Sequence, residues 1–253
     1  MKIEIVGHSN VGKKRSNNED FFALDAKVGF FVIADGMGGH NHGEVASKMA
    51  VETIWNSMER FILVNQRVMG KMDDIRVSEQ ANQLANAVQL ANQVIFESAN
   101  SQLQYAGMGT TLDAVLFHEN KAIVAHVGDS RVYLVRNGSL TQITQDHSLV
   151  EDQLRQGLIN KEQAKNSNFK NILTRSLGMS ETTEVDVVEV NLCSGDFLIG
   201  CTDGLNKMVS DDEILKTIPL MKTPKMIVER LVDIANDAGG IDNVTVVVAQ
   251  WSE

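Results

Sequence analysis

An apolar run, Phe30–Ala34, stops on Asp35-Gly36, and glycines recur at 38, 39 and 43. The pattern returns late in the chain, where the apolar run Phe197–Thr202 meets Asp203-Gly204. Asp242-Asn243 makes a third such junction, just ahead of the apolar run Val244–Ala249. Runs of this length and composition read as buried strands. A carboxylate at the end of a buried strand is held in place by the strand. The glycines beside it allow unusual backbone angles and let backbone groups approach a ligand closely. Strand-end carboxylates of this kind suit metal binding. Taken singly, each Asp-Gly pair reads as well as a turn, so the count and company of the carboxylates decide.

Lys2–Gly7 alternates as a short strand. Phe21–Leu24, Thr111–Phe117, Lys121–Val127, Arg131–Val135 and Val185–Val190 read as further strands, with Asn137-Gly138 as a hairpin turn. Two helices are predicted between the early and middle strands. Val45–Ile62 carries Ala50, Ile54, Met58 and Phe61 at helical spacing. Ser78–Gln104 carries a longer apolar stripe with Ser78 as its N-cap, and its opposite face is rich in Asn and Gln. Both read as a cover for a sheet. Leu63–Val77 between them carries no clear signal. Asp146–Asn171, with short helices at Leu149–Gly157 and Lys161–Ser167, is charged and thinly apolar, which predicts a surface flap. His147 at its start reads as a structural, hydrogen-bonding histidine. Ser210–Glu213 forms a capping box, and Thr223-Pro224 opens a last helix that stops at Gly239-Gly240. No repeat and no Pro- or Ser-rich linker divides the 253 residues, which read as one domain, 1–253.

The formal net charge of −10 argues against partners such as nucleic acid or an anionic membrane. It also means that an anionic substrate would need local positive charge, which bound divalent cations can supply. Cys193 and Cys201 lie eight residues apart and read as reduced, structural thiols. Met1–Val6 lacks the apolar stretch of a signal peptide, and nothing approaches the ~20 apolar residues of a membrane span. A cytoplasmic protein is expected. Gly7–Lys13, G-H-S-N-V-G-K, nearly matches a phosphate-binding P-loop. Position 14 is Lys where Ser or Thr is needed, and the segment after it has no helical apolar face. A nucleotide hydrolase is therefore the weaker reading.

Asp35, Asp203 and Asp242 sit at strand ends, and Glu19, Asp20 and Asp129 sit at other strand junctions. Six carboxylates at one rim of a sheet would repel one another unless neutralised. Oxygen ligands without clustered His or Cys point to a hard cation, Mg²⁺ or Mn²⁺. Several carboxylates on one rim suggest two ions ~3.5–4 Å apart, a spacing suited to clamping a phosphoryl group. Arg15, four residues before Glu19, would hold the remaining phosphate oxygens by a bidentate contact.

The ordered set Arg15-x-x-x-Glu19-Asp20, Asp35-Gly-Met-Gly-Gly39, Gly109-Thr-Thr111, Gly128-Asp-Ser-Arg131, Thr174-Arg-Ser-Leu-Gly178, Asp203-Gly204 and Asp242-Asn243 resembles the metal-dependent protein phosphatases of the 2C family, in their compact bacterial branch. Each motif alone is weak; seven in order, from Gly7 to Ala249, are specific. The resemblance implies an α+β fold, a four-layer α-β-β-α sandwich of two antiparallel sheets flanked by helices. It implies hydrolysis of phosphoserine and phosphothreonine in proteins by a bridging hydroxide, reversing a Ser/Thr kinase. Carried over residue by residue, Asp35 would bridge two ions and the Gly36 carbonyl would bind the second. Asp203 and Asp242 would complete the first site, so Asp35, Asp203 and Asp242 form the catalytic set. Glu19 and Asp20 would act through water, Arg15 would bind the substrate phosphate, and Asp129 with Asp203 would hold a weaker third ion. The flap at 146–171 would shape access. Two departures stand out. Eukaryotic members carry a His, proposed as general acid, where this chain has Met37, as bacterial members do. Four residues after Asp203, where some members carry another acidic ligand for the third ion, this chain has Lys207. A non-catalytic phosphoprotein-binding or scaffold domain on the same fold is the alternative, and the complete carboxylate set argues against it.

Overall fold

The computed structural model describes residues 2–38, 42–221 and 223–252. Gly39, one of the glycines counted after Asp35, lies outside them. Two antiparallel sheets form the centre. The first has the order β1 (Lys2–Asn10), β11 (Val244–Ser252), β10 (Phe197–Cys201), β7 (Arg131–Arg136) and β8 (Ser139–Gln142). The second runs β2 (Asp20–Asp25), β3 (Phe30–Met37), β5 (Leu112–His118), β6 (Lys121–Val127) and β9 (Asp186–Asn191), with β4 (Gly109–Thr110) paired to the end of β3.

The strand period of two separates three apolar layers. Along β3, Phe31 and Ile33 point between the sheets. There they join Val115, Phe117 and Val124 of their own sheet and Val132, Leu198, Val247 and Trp251 of the other. Phe30, Val32 and Ala34 point the opposite way, onto α1 (His42–Val64) and α2 (Glu79–Ser101). On the far side of the first sheet, Tyr133, Ile199, Val246 and Val248 pack on α6 (Asp211–Leu220) and α7 (Pro224–Asp237). Helices therefore cover both outer faces, and the expected α-β-β-α sandwich is present. Because β3, β5, β6 and β11 are covered on both faces, their sequences are continuous apolar runs rather than alternating ones.

The capping signals behave as read. Ser78 Oγ accepts from the Ala81 amide, Ser210 and Glu213 form a capping box, and Thr223 caps α7 with Pro224 at its first turn. The strands run further than their apolar runs. β3 continues past Asp35 to Met37 because Gly36 and Met37 pair with Thr110 and Gly109. Asp35 thus sits inside the strand and not beyond it. The near-P-loop at Gly7–Lys13 is extended over Gly7–Asn10, where it pairs with β11, and turns after Asn10 with no helix following. The structural half of a P-loop is absent. Between Asp146 and Asn171 the two expected short helices are present, α3 (Leu149–Arg155) and α4 (Lys161–Lys165), neither of which buries a residue. Among the described residues no helix is long and apolar enough to cross a membrane.

Candidate active site

Both sheets deliver their carboxylates to one end of the sandwich. Asp20 opens β2 directly opposite Asp35 near the end of β3. Like charges paired across a sheet destabilise it, so this register has to be maintained by something else. From the other sheet, β10 ends at Cys201 and the one-turn helix α5 (Asp203–Asn206) begins. Asp242 stands just before β11, and Asp129 lies in the turn between β6 and β7, which crosses from one sheet to the other. Arg15, Glu19, Asp35, Gly36, Asp129, Asp203 and Asp242 line one cleft of about 870 Å³. Of the eight residues expected to hold the ions or the phosphate, Asp20 alone is not on that wall. It is buried behind it, where the hydroxyls of Thr202 and Thr245 donate to its Oδ2 at 2.8 and 2.7 Å.

The backbone beneath these side chains is tied by groups the sequence did not assign a role. The Thr111 and Thr110 hydroxyls bond the Asp35 amide and carbonyl at 3.0 and 2.8 Å. The Glu19 carbonyl accepts from the Gly36 amide at 3.1 Å and from Ser47 Oγ at 2.6 Å. Asn243 Oδ1 accepts from the Glu19 amide at 2.8 Å, and its Nδ2 donates to the carbonyls of Val11 and Asn17 at 3.0 and 2.9 Å. One buried amide thus joins the Arg15–Asp20 loop to the start of β11. Gly36 and Gly43 meet back to back: a Cβ on Gly36 would lie 2.0 Å from the Gly43 carbonyl oxygen. Only glycine permits that approach.

The electrostatics of the cleft are unbalanced. Burial, then the neighbouring carboxylates, push Asp35 well above the usual carboxylate range, and push Asp20 up to about 7. Burial raises Asp129 to about 6, with Asp203 adding to it. Burial also raises Glu19. Of the four cations lining the cleft, Arg15, Lys170, Arg175 and Lys207, two pair with these carboxylates. Arg15 Nη2 donates to Asp242 Oδ2 at 2.9 Å, half-exposed at the mouth. Lys207 pairs with Asp203, and with Asp129 at 3.5 Å. Two carboxylate oxygens, Asp20 Oδ1 and Asp203 Oδ1, are buried and accept no hydrogen bond from the described residues. Such orphaned acceptors cost roughly 1–3 kcal/mol each, more when charged. Hard divalent cations fit this donor set, which is all oxygen, over-anionic and incompletely bonded. Among the described residues, no group of three or more His, Cys, Asp and Glu is placed to hold a metal ion by itself.

A second polar network lies under the flap. His126 bonds Asp113 at 2.7 Å and the Gln145 carbonyl at 3.0 Å; His147 accepts from the Gly128 amide at 3.1 Å and meets Asp186 at 3.2 Å. His147 lines no part of the cleft and serves as the structural, hydrogen-bonding residue read from the sequence.

Comparison with known proteins adds the family. A model of the family described as protein phosphatase 2C matches residues 6–236. Protein phosphatase PhpP of Streptococcus pneumoniae is 37% identical over 260 residues, spanning 100% of this chain and 98% of its own. The Mycobacterium tuberculosis serine/threonine phosphatase PstP/Ppp superposes with a TM-score of 0.87 at 34% identity, covering 100% of both chains. The catalytic domain of serine/threonine protein phosphatase PstP, solved in complex with two manganese ions, gives a TM-score of 0.82 at 33% identity, covering 100% of this chain and 99% of its own. A match over most of the length, in sequence and in fold, places the chain in the protein phosphatase 2C family, as a protein-serine/threonine phosphatase.

Proposed function

We propose that the cleft hydrolyses phosphoserine and phosphothreonine in proteins with two divalent cations, Mn²⁺ or Mg²⁺, and so reverses the action of a Ser/Thr kinase. Asp35, the Gly36 carbonyl, Asp203 and Asp242 would hold the ions, with Glu19 and Asp20 acting through water. The observation that carries this reading is the convergence of strand-end carboxylates on one cleft, with buried oxygens left unbonded. The PstP structure that contains two manganese ions supports the number and the metal. Bound cations supply positive charge to the phosphoryl oxygens and lower the pKa of water to near neutrality.

The chain's own residues do the rest. Arg15 offers its guanidinium at the mouth, where it can bind phosphate oxygens once it yields or shares Asp242. Thr110, Thr111 and Asn243 fix the backbone that carries Asp35 and Glu19, so the carboxylates hold their positions without reorganising. Residues 146–171 form a flap beside the cleft, and its exit, Asn171 to Arg175, lines one wall. Phosphate release from a phosphothreonine peptide, with Mn²⁺ or with chelator in its place, tests the reading. Metal-dependent release is expected. A folded protein inactive with every divalent ion would support instead a phosphoprotein-binding domain without turnover.

A further inference from the structure

Lys207 has no task in the scheme above. It follows α5, and its side chain is about one-third exposed. Its ammonium pairs with Asp203 Oδ2, lies 3.5 Å from Asp129 Oδ2, and donates to Asn171 Oδ1 at 3.1 Å. An ammonium has three N–H donors and no acceptor. Hydrogen bonds to Asp203 and Asn171 and the ion pair with Asp129 hold it within the chain. Its neighbour Asn206 donates from Nδ2 to the Asp129 carbonyl at 3.4 Å, so the same turn is tied twice to Asp129. Asp203 is thereby split: Oδ2 is taken by the ammonium, and Oδ1 is the buried oxygen without a partner. Asn171 closes the flap, so the ammonium also joins the flap's exit to a carboxylate of the centre.

We propose that Lys207 is a tethered cation. Its ammonium fills the ground between Asp129 and Asp203 that a divalent ion would otherwise take, which limits the centre to two ions, leaves Asp203 Oδ1 as the metal donor, and pins the flap at Asn171. Lys207 is a positioning residue, and the inference rests on the two-ion reading given above. A Lys-to-carboxylate contact needs no free metal to form, so half the charge of this carboxylate pair is balanced at any metal concentration. An ion bound between the same carboxylates would come and go with supply.

The number of Mn²⁺ ions bound at equilibrium, counted by dialysis and the electron paramagnetic resonance of free Mn²⁺, tests this without any assay of turnover. The wild-type chain should bind two. Lys207→Met should gain a third, weaker ion, Lys207→Arg should stay at two, and Lys207→Met combined with Asp129→Asn should return to two. Hydrogen exchange of the backbone at 170–172 should accelerate in Lys207→Met measured without metal. Lys207→Gln takes the place of the Met variant if that chain does not fold. Two ions on the single Lys207→Met or Lys207→Gln variant would overturn the inference and leave the two-ion reading standing, and three on the wild-type chain would overturn the limit to two. A wild-type chain that binds no Mn²⁺ would overturn both.

Discussion

At the level of single residues, the cleft separates carboxylates that face the ligand from groups that hold them. Asp203→Asn keeps the shape of the side chain and removes its charge. The fold should survive, because α5 is capped through backbone bonds and packs Gly204 and Leu205 inward. Mn²⁺ affinity should drop by at least roughly tenfold, and turnover should vanish; isothermal titration and phosphate release check both. Equal activity in the variant would remove Asp203 from the centre. Arg15→Ala deletes one charge-assisted contact to phosphate, worth roughly 1.5–3 kcal/mol. KM for a phosphopeptide should rise about tenfold or more, with kcat less affected, and unchanged kinetics would take Arg15 out of the phosphate site. Most of these residues were legible because the chemistry marks them. Carboxylates after apolar runs are rare enough to count, and their order along the chain is specific. The supporting groups were not legible in the same way. Thr202, Thr245 and Asn243 are ordinary polar residues until folding brings Asp20 and Glu19 against them across more than 180 residues of sequence, and Ser47 until it meets the Glu19 carbonyl 28 residues away. Asp20 itself was read as one of the carboxylates around the metals, and only the structure shows that it stands behind the wall of the cleft.

At the level of elements, the reading succeeded where burial is two-sided and failed where form is borrowed from a distant partner. Strands β3, β5, β6 and β11 announce themselves as apolar runs, and α1, α2 and α7 by their period. The two-residue β4, the edge strand β8 and the single turn α5 are too short for any period. Leu63–Val77 had no signal because its order comes from α2. The Gln83 side chain accepts from the Val68 amide at 2.5 Å. Asn86 bonds both backbone groups of Met72 at 3.0 and 3.1 Å, and Asn82 does the same at Asp74 at 2.8 and 2.9 Å. Asn82, Gln83 and Asn86, from the Asn- and Gln-rich face of α2, are thus buried under this segment and hold it in place. Asn86→Ala should strip two backbone groups of their partners and cost about 1–3 kcal/mol, seen as a lower urea midpoint. Faster proteolysis within 66–74 should accompany it. The junction between β3 and α1 is stricter. At Gly36 a methyl group would lie 2.0 Å from the Gly43 oxygen and 2.6 Å from that of Glu19, all of it backbone. Gly36→Ala should destabilise the chain by about 1–3 kcal/mol and lower Mn²⁺ affinity as well, since the forced shift moves Asp35 and Glu19. A variant with unchanged melting and metal binding would show that the two segments are free to separate.

At the scale of the whole molecule, two sheets are stacked so that their strand ends pool negative charge in a chain already at −10. Folding without metal has to work against that charge, which makes metal and proton competitors for the same oxygens. The folded chain holds Asp20 up to about 7 and Asp129 to about 6, against 3.8 for an ordinary aspartate. Between those values the folded state retains protons that the unfolded chain has released, so stability of the metal-free protein falls as pH rises from about 4 to 7. Glu189, lowered to about 2 by Lys121, and Asp186, lowered within its contact to His147 and Arg175, act in the opposite sense, but their contribution is complete by about pH 5. His126 is raised because Asp113 outweighs its burial, and His147 is lowered by burial beside His126, so the first lowers stability as pH rises above 6.5 and the second raises it as pH rises toward 6.5. Comparing melting with and without Mn²⁺ at each pH cancels both histidines and isolates the cleft. The Mn²⁺-induced rise in Tm should be small at pH 5.5, where protons already neutralise the carboxylates. It should be larger at pH 7.5 by about 5 °C or more, given roughly 2–4 °C per kcal/mol for a chain of this size. A shift of the same size at both pH values would mean that the ions bind away from Asp20 and Asp35, and the centre would have to be sought elsewhere on the molecule.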